Sequence, residues 1–189
     1  MHFAFGKTIL VIGDSISSAY GIPVNKGWVA LLQERLRSEQ LPYQVVNLSI
    51  SGDTSANALN RLPQTLEQHQ PRILLLEIGG NDGLRGLSLA QMQQNIESMI
   101  SLAAARGIHV MLLGIQLPPN YGPHYTNQFN DIYRQLADRY QLALLPSIVE
   151  GIGGNPRLMQ ADGIHPNAQA QPMMLELVWP KLLELLSDA

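Results

Sequence analysis

A chain of 189 residues and 20.8 kDa has the size of one domain, and folding at that mass removes about 70% of the unfolded accessible surface, so no metal or disulfide staple is needed. Hydrophobic residues at 46% and charged residues at 14% exclude a disordered chain. The 12 basic and 15 acidic residues leave a net charge of −3, no basic run tracks a phosphate backbone, which disfavours nucleic acid as a partner, and the lack of cysteine excludes disulfides and thiolate chemistry.

Met1 to Gly6 lacks the basic and apolar regions of a secretory leader, although a form whose leader has been removed reads the same way. From there, short β-branched or leucine-rich runs alternate with segments of helical period, the pattern of a parallel sheet covered by helices. The first strand is expected over Thr8 to Ile12, followed by a helix carrying Trp28, Leu31, Leu32 and Leu36 on one face. A second strand over Gln44 to Leu48 leads into a helix over roughly Thr54 to His69, with Pro63 predicting a break or a late start. The third strand, Arg72 to Ile78, precedes a helix with Leu89, Met92, Ile96, Met99, Ile100 and Ala103 on one stripe. The fourth, His109 to Ile115, precedes a helix carrying Phe129, Ile132, Tyr133, Leu136 and Tyr140. The fifth, Leu142 to Leu145, opens into a long Gly- and Pro-rich loop, Pro146 to Pro166, and a last helix covers about Pro172 to Leu186 with Pro180 threatening a kink. No apolar stretch reaches the roughly 18 residues of a membrane span, so no transmembrane anchor is expected. The pattern predicts one domain over residues 1–189: a three-layer α/β/α unit with a five-stranded parallel sheet of flavodoxin-like order 2-1-3-4-5.

In such sheets ligands bind beyond the carboxyl ends of the strands, where the order reverses. Four short motifs fall there. Gly13-Asp14-Ser15 follows strand 1; a serine on a strand-to-helix turn can serve as nucleophile or simply cap the helix. Ser51-Gly52-Asp53-Thr54 follows strand 2, where Gly52 can offer its amide to a ligand or only permit a tight turn, with Asp53 or Thr54 capping the next helix. Gly79-Gly80-Asn81-Asp82 follows strand 3, where Asn81 is a natural donor to an oxyanion or one residue of a Gly/Asn turn. Asp162-Gly163-Ile164-His165 lies in the long loop, a spacing that lets a carboxylate orient an imidazole, or leaves a solvated histidine. Together they supply a nucleophile, a base with its acid, and up to three donors, which are the parts of acyl transfer. The five histidines show no metal spacing and the Gly-rich segments match no nucleotide fingerprint, so neither metal nor cofactor is implied.

These four blocks, in this order, resemble those of the SGNH (GDSL) hydrolase superfamily. Residues 49–55 and 79–86 and Leu117-Pro118-Pro119-Asn120-Tyr121-Gly122 are most similar to its bacterial thioesterase and lysophospholipase branch. The resemblance implies a serine hydrolase of carboxylic esters and acyl thioesters that acts through an acyl-enzyme on Ser15. His165 would be general base and then acid, Asp162 would orient it, and the Ser15 amide, the Gly52 amide and Asn81 would form the oxyanion hole. Asp14, Ile50, Leu84, Pro118 and Tyr121 are expected near a small-molecule or lipid acyl substrate. A monomer is expected, periplasmic or secreted by resemblance and cytoplasmic as the alternative. The competing readings are a carbohydrate O-acetyl esterase and a non-catalytic flavodoxin-like binding module.

Overall fold

A computed structural model of the protein describes residues 7–188; the leader reading on Met1 to Gly6 lies outside the described residues. The strands are β1 (Lys7–Gly13), β2 (Tyr43–Asn47), β3 (Ile73–Glu77), β4 (His109–Leu113) and β5 (Ala143–Leu145). All neighbours pair in parallel, in the order β2-β1-β3-β4-β5, as the alternation predicts. Helices α1 (Trp28–Ser38), α2 (Ser55–His69), α3 (Gly80–Leu84), α4 (Leu89–Ala104), α5 (Pro123–Tyr140) and α6 (Gln171–Asp188) connect and cover them.

Period-2 geometry sends alternate strand residues to opposite faces, which is why nearly every position of β1, β3 and β4 is apolar. Leu10, Ile12, Leu74, Leu76, Val110 and Leu112 face α2, α4 and α5 in one core cluster. Ile9, Val11, Ile73, Leu75, Met111 and Leu113 face α1 and α6 in the other. Each fully buried aliphatic side chain contributes roughly 1.5–3 kcal/mol, so the two layers hold the sheet rigidly from both sides.

Several expectations are corrected. Neither Pro63 nor Pro180 interrupts its helix; both lie inside continuous segments and point to solvent. Water can serve the carbonyl that each proline leaves unbonded, while the buried Leu62 and Leu66, or Val178 and Trp179, hold the helix on the sheet. The helix that carries Phe129 begins at Pro123, where proline's fixed φ suits the first helical position and no amide is needed. The segment after β3 is a five-residue helix rather than a bare turn. No helix directly follows Ser15: a succession of turns does, with the Ser18 amide on the Asp14 carbonyl at 3.0 Å and the Tyr20 amide on that of Ser15 at 3.1 Å. Any donors for an anion there are turn amides, not a helix end.

Parallel pairing brings all carboxyl ends of the strands to one edge. Past the end of β2, the Leu48 amide bonds the Val11 carbonyl and the Ile50 amide the Gly13 carbonyl, both at 3.0 Å. These bonds carry the segment up to Gly52 alongside the turn that holds Ser15. Among the described residues no helix is long and apolar enough to cross a membrane.

Candidate active site

Asp14 shapes the turn after β1. Its Oδ1 accepts the Ile16 amide at 3.0 Å, an Asx turn of the kind aspartate forms readily, and this sets Ser15 at the sheet edge facing the long loop after β5. That loop folds back on itself: the Gln160 amide donates to the His165 carbonyl at 2.8 Å, and Met159 and Pro166 form an antiparallel bridge. The Gln160 side-chain amide donates to the Tyr20 carbonyl at 2.8 Å and the Pro166 carbonyl at 3.1 Å. The histidine loop is thereby tied to the serine turn. The Tyr20 ring also lies 4.6 Å from that of His165, centroid to centroid.

The two segments meet at hydrogen-bond range. His165 Nε2 lies 2.9 Å from Ser15 Oγ, and its Nδ1 lies 2.7 Å from Asp162 Oδ2. The other Asp162 oxygen accepts the Ile164 amide at 2.9 Å and the His165 amide at 3.0 Å. Partial desolvation pushes the Asp162 carboxyl up, but the bonds from the His165 amide, its ring and the Ile164 amide outweigh it and hold the group down at about 2. A depressed carboxylate stabilises the fold above its unfolded value of 3.8, and that contribution fades as pH falls through about 2. Titration of Asp162 followed by NMR is therefore expected to show a midpoint near 2; a midpoint at the ordinary value means the loop bonds do not form in solution.

Gly52 has φ +86, a conformation open to glycine and strained for other residues. Neither its amide nor that of Ser15 meets an acceptor among the described residues. Thr54, rather than Asp53, caps α2, accepting the Asn57 amide. Asp53 pairs with Arg61 at 2.9 Å.

Asn81 is held on three sides. Its Nδ2 donates to the Asp53 carbonyl at 3.0 Å and to Asp14 Oδ2 at 3.2 Å, and its Oδ1 accepts from Arg85 Nη2 at 3.4 Å. Arg85 also donates to the Gly52 carbonyl at 3.0 Å. Both amide hydrogens thus have acceptors, and an incoming anion must share or replace one. Beneath it, Asp82 accepts the Ser55 amide at 2.8 Å and the Ser55 hydroxyl at 2.6 Å. This bolts α3 to the start of α2.

Ser15, His165 and Asn81 line a cavity of about 660 Å³. Leu84, Ile115, Leu117, Pro118, Val149 and Met159 supply its apolar wall, with Asn127 and Asn130 as polar contacts. Of the residues expected near the substrate, Leu84, Pro118 and Asp14 line it; Asp14 is only 2% exposed, with both oxygens bonded inward. Ile50 is half-exposed outside the cavity wall. Tyr121 stands apart from that wall and donates its hydroxyl to the Leu84 carbonyl at 2.8 Å. Val149, Met159, Asn127 and Asn130 are not singled out by any motif. Their helical or loop periodicity carries no sign of which residues the tertiary fold turns toward Ser15.

A family model described as "GDSL-like Lipase/Acylhydrolase family" matches residues 11–171, the greater part of the chain. The chain belongs to this family. It is 55% identical to Esterase TesA of Pseudomonas aeruginosa over 183 residues, covering 97% of this chain and 91% of that one. Against Thioesterase 1/protease 1/lysophospholipase L1 of Escherichia coli the identity is 42% over 184 residues, covering 97% and 87%. The crystal structure of the esterase EstA from Pseudoalteromonas sp., inhibited by monoethylphosphonate, superposes with a TM-score of 0.91 at 39% identity, covering 96% of this chain and 99% of that one. As a member of the GDSL-like acylhydrolases, the protein is an enzyme that hydrolyses ester bonds. The cavity beside Ser15 is then the natural place to seek its chemistry.

Proposed function

We propose that this GDSL-like acylhydrolase cleaves carboxylic esters and acyl thioesters through an acyl-enzyme on Ser15. The observation that carries the reading is the relay from Asp162 to His165 at 2.7 Å and from His165 to Ser15 at 2.9 Å. His165 Nε2 takes the hydroxyl proton as Ser15 Oγ attacks the acyl carbon, and Asp162 holds the ring and steadies the imidazolium. The Ser15 and Gly52 amides and Asn81 Nδ2 receive the oxyanion of the tetrahedral intermediate. The imidazolium then protonates the departing alcohol or thiol, and the same nitrogen activates the water that releases the acid.

The aliphatic wall of the cavity supports an acyl chain over a sugar as the group held beside Ser15, with aryl esters, acyl thioesters and lysophospholipids as the proposed substrates. A monomer outside the cytoplasm is the arrangement consistent with the resemblance; sedimentation and fractionation of the native host read these two points. The deciding experiment is labelling with a fluorophosphonate. One equivalent is expected to attach to the native chain and none to Ser15→Ala; a label that persists in the variant removes Ser15 as nucleophile.

A further inference from the structure

Glu77 closes β3 opposite Gly13, its register partner on β1, and its side chain is fully buried. A carboxyl at this point in a sheet core is costly, and its neighbours show how it is accommodated. Glu77 Oε2 accepts the Ser17 hydroxyl at 2.6 Å and the Asp14 amide at 3.4 Å, which brackets Ser15 from both sides. It can come so close because Gly13 has no side chain: a Cβ there would lie 2.7 Å from Oε2. Its other oxygen, Oε1, is buried without a partner.

The groups that meet Glu77 are neutral donors rather than cations. The titratable groups that act on it are acids: the Asp14 carboxyl from the serine turn and the Tyr133 phenol from α5, which donates to the Ile78 carbonyl at 2.8 Å. Asp82 from α3 faces Tyr133, while Asp53 and His165 face Asp14. A buried carboxylate repays its desolvation only when charge-paired and hydrogen-bonded. Two neighbouring buried acids cannot both ionise cheaply, so one keeps its proton.

We propose that Glu77 is a positioning residue which works as a neutral carboxylic acid, holding both ends of the Ser15 turn while leaving Asp14 as the single buried carboxylate behind the nucleophile. This rests on Ser15 being the nucleophile. Both Asp14 oxygens accept a donor, the Ile16 amide on Oδ1 and Asn81 Nδ2 on Oδ2, whereas on Glu77 only Oε2 does and Oε1 is buried without a partner. Burial pushes the Glu77 carboxyl well above the usual range, and the Asp14 charge pushes the same way. Burial also lifts Asp14, to about 6, against the pull of the Ile16 amide, His165 and Asn81. Asp14 thus lies close enough to His165 to feel the ring through space, so the charge of the pair sits on the member nearer the reacting groups.

The test compares Glu77→Gln with Glu77→Ala on a short-chain ester. Glutamine reproduces the neutral acid in shape and acceptor, so kcat is expected within about threefold of the native value. Alanine frees the Ser17 hydroxyl and the turn, and kcat is expected to fall about 100-fold with KM nearly unchanged, as for an ångström-scale misplacement. The infrared spectrum of protein labelled with carboxyl-13C glutamate, at about pH 8 where Asp14 is ionised, is expected to show one protonated-acid band that vanishes in Glu77→Gln. The proposal is overturned by the absence of that band, by a Gln variant as slow as the Ala variant, or by an Ala variant with native kcat. If Glu77→Ala does not fold, the band and the Gln variant still decide. Fluorophosphonate uptake by the native chain is read in parallel, so a failure of the Ser15 assignment is seen separately.

Discussion

Replacing His165 with alanine is expected to lower kcat on a short-chain ester by on the order of 10⁶-fold, equivalent to about 8 kcal/mol of transition-state stabilisation. Among the described residues the imidazole is the one group hydrogen-bonded to Ser15 Oγ that can take its proton, at 2.9 Å from Nε2. Without it, attack must begin from a neutral hydroxyl, whose own acidity is far too weak at neutral pH. Asp162→Asn is expected to cost less, on the order of 10⁴-fold, because the ring remains in place but loses its enforced tautomer and the charge facing the imidazolium. Neither variant should move the melting temperature by more than a few degrees, since both side chains sit on a partly exposed loop rather than in the core. Single-turnover measurements give the comparison directly. A His165→Ala enzyme within tenfold of native activity shows that another base serves Ser15.

Asn81→Ala is expected to lower kcat by about 10²–10³-fold, or about 2.7–4 kcal/mol, the range for losing one oxyanion donor. The geometry adds a qualification that can be measured. Asn81 Nδ2 already donates to the Asp53 carbonyl and Asp14, so part of its strength toward the oxyanion is offset by weakening these bonds. The loss should therefore fall toward the lower end of the range, and Asp14→Asn, which removes the competing charge, should affect KM less than kcat. Arg85 holds the amide the right way round through Oδ1. A phosphonate adduct is the natural probe of the same interaction, since its anionic oxygen stands where the oxyanion would form. An Asn81→Ala variant with native kcat removes this side chain from the site.

The fold was largely legible because its determinants are periodic. Apolar runs in β1, β3 and β4, covered on both faces, declare a buried parallel sheet, and the stripes of α1, α4 and α5 declare its covering layers. What periodicity conceals is local competition. Pro63 reads as a break or a late start and Pro180 as a kink, yet each occupies a solvent-facing position in a continuous helix whose other face is anchored. The turns after Ser15 read as the start of a helix, because a serine behind an aspartate resembles a cap; here the aspartate bonds Ile16 and the chain turns instead.

The candidate site divides along the same line. Ser15, Gly52, Asn81, Asp162 and His165 were recognisable because each stands in a short motif whose residue types are chemically conspicuous and whose order along the chain is that of the SGNH blocks. Glu77, Gln160, Val149 and Met159 were not. Glu77 reads as the polar end of a strand, and only the pairing of β3 with β1 reveals that it lies against Gly13 with Ser17 and Asp14 around it. The order of apolar and polar residues is enough to determine sheet, layers and sidedness, since burying alternate faces is a local property of each segment. Which side chains meet across 150 positions of chain, as His165 and Ser15 do, depends on loop closure and on distances of a few tenths of an ångström. Those are properties of the packed chain alone, because hydrogen bonds and proton transfer fall off over lengths far shorter than any sequence pattern resolves.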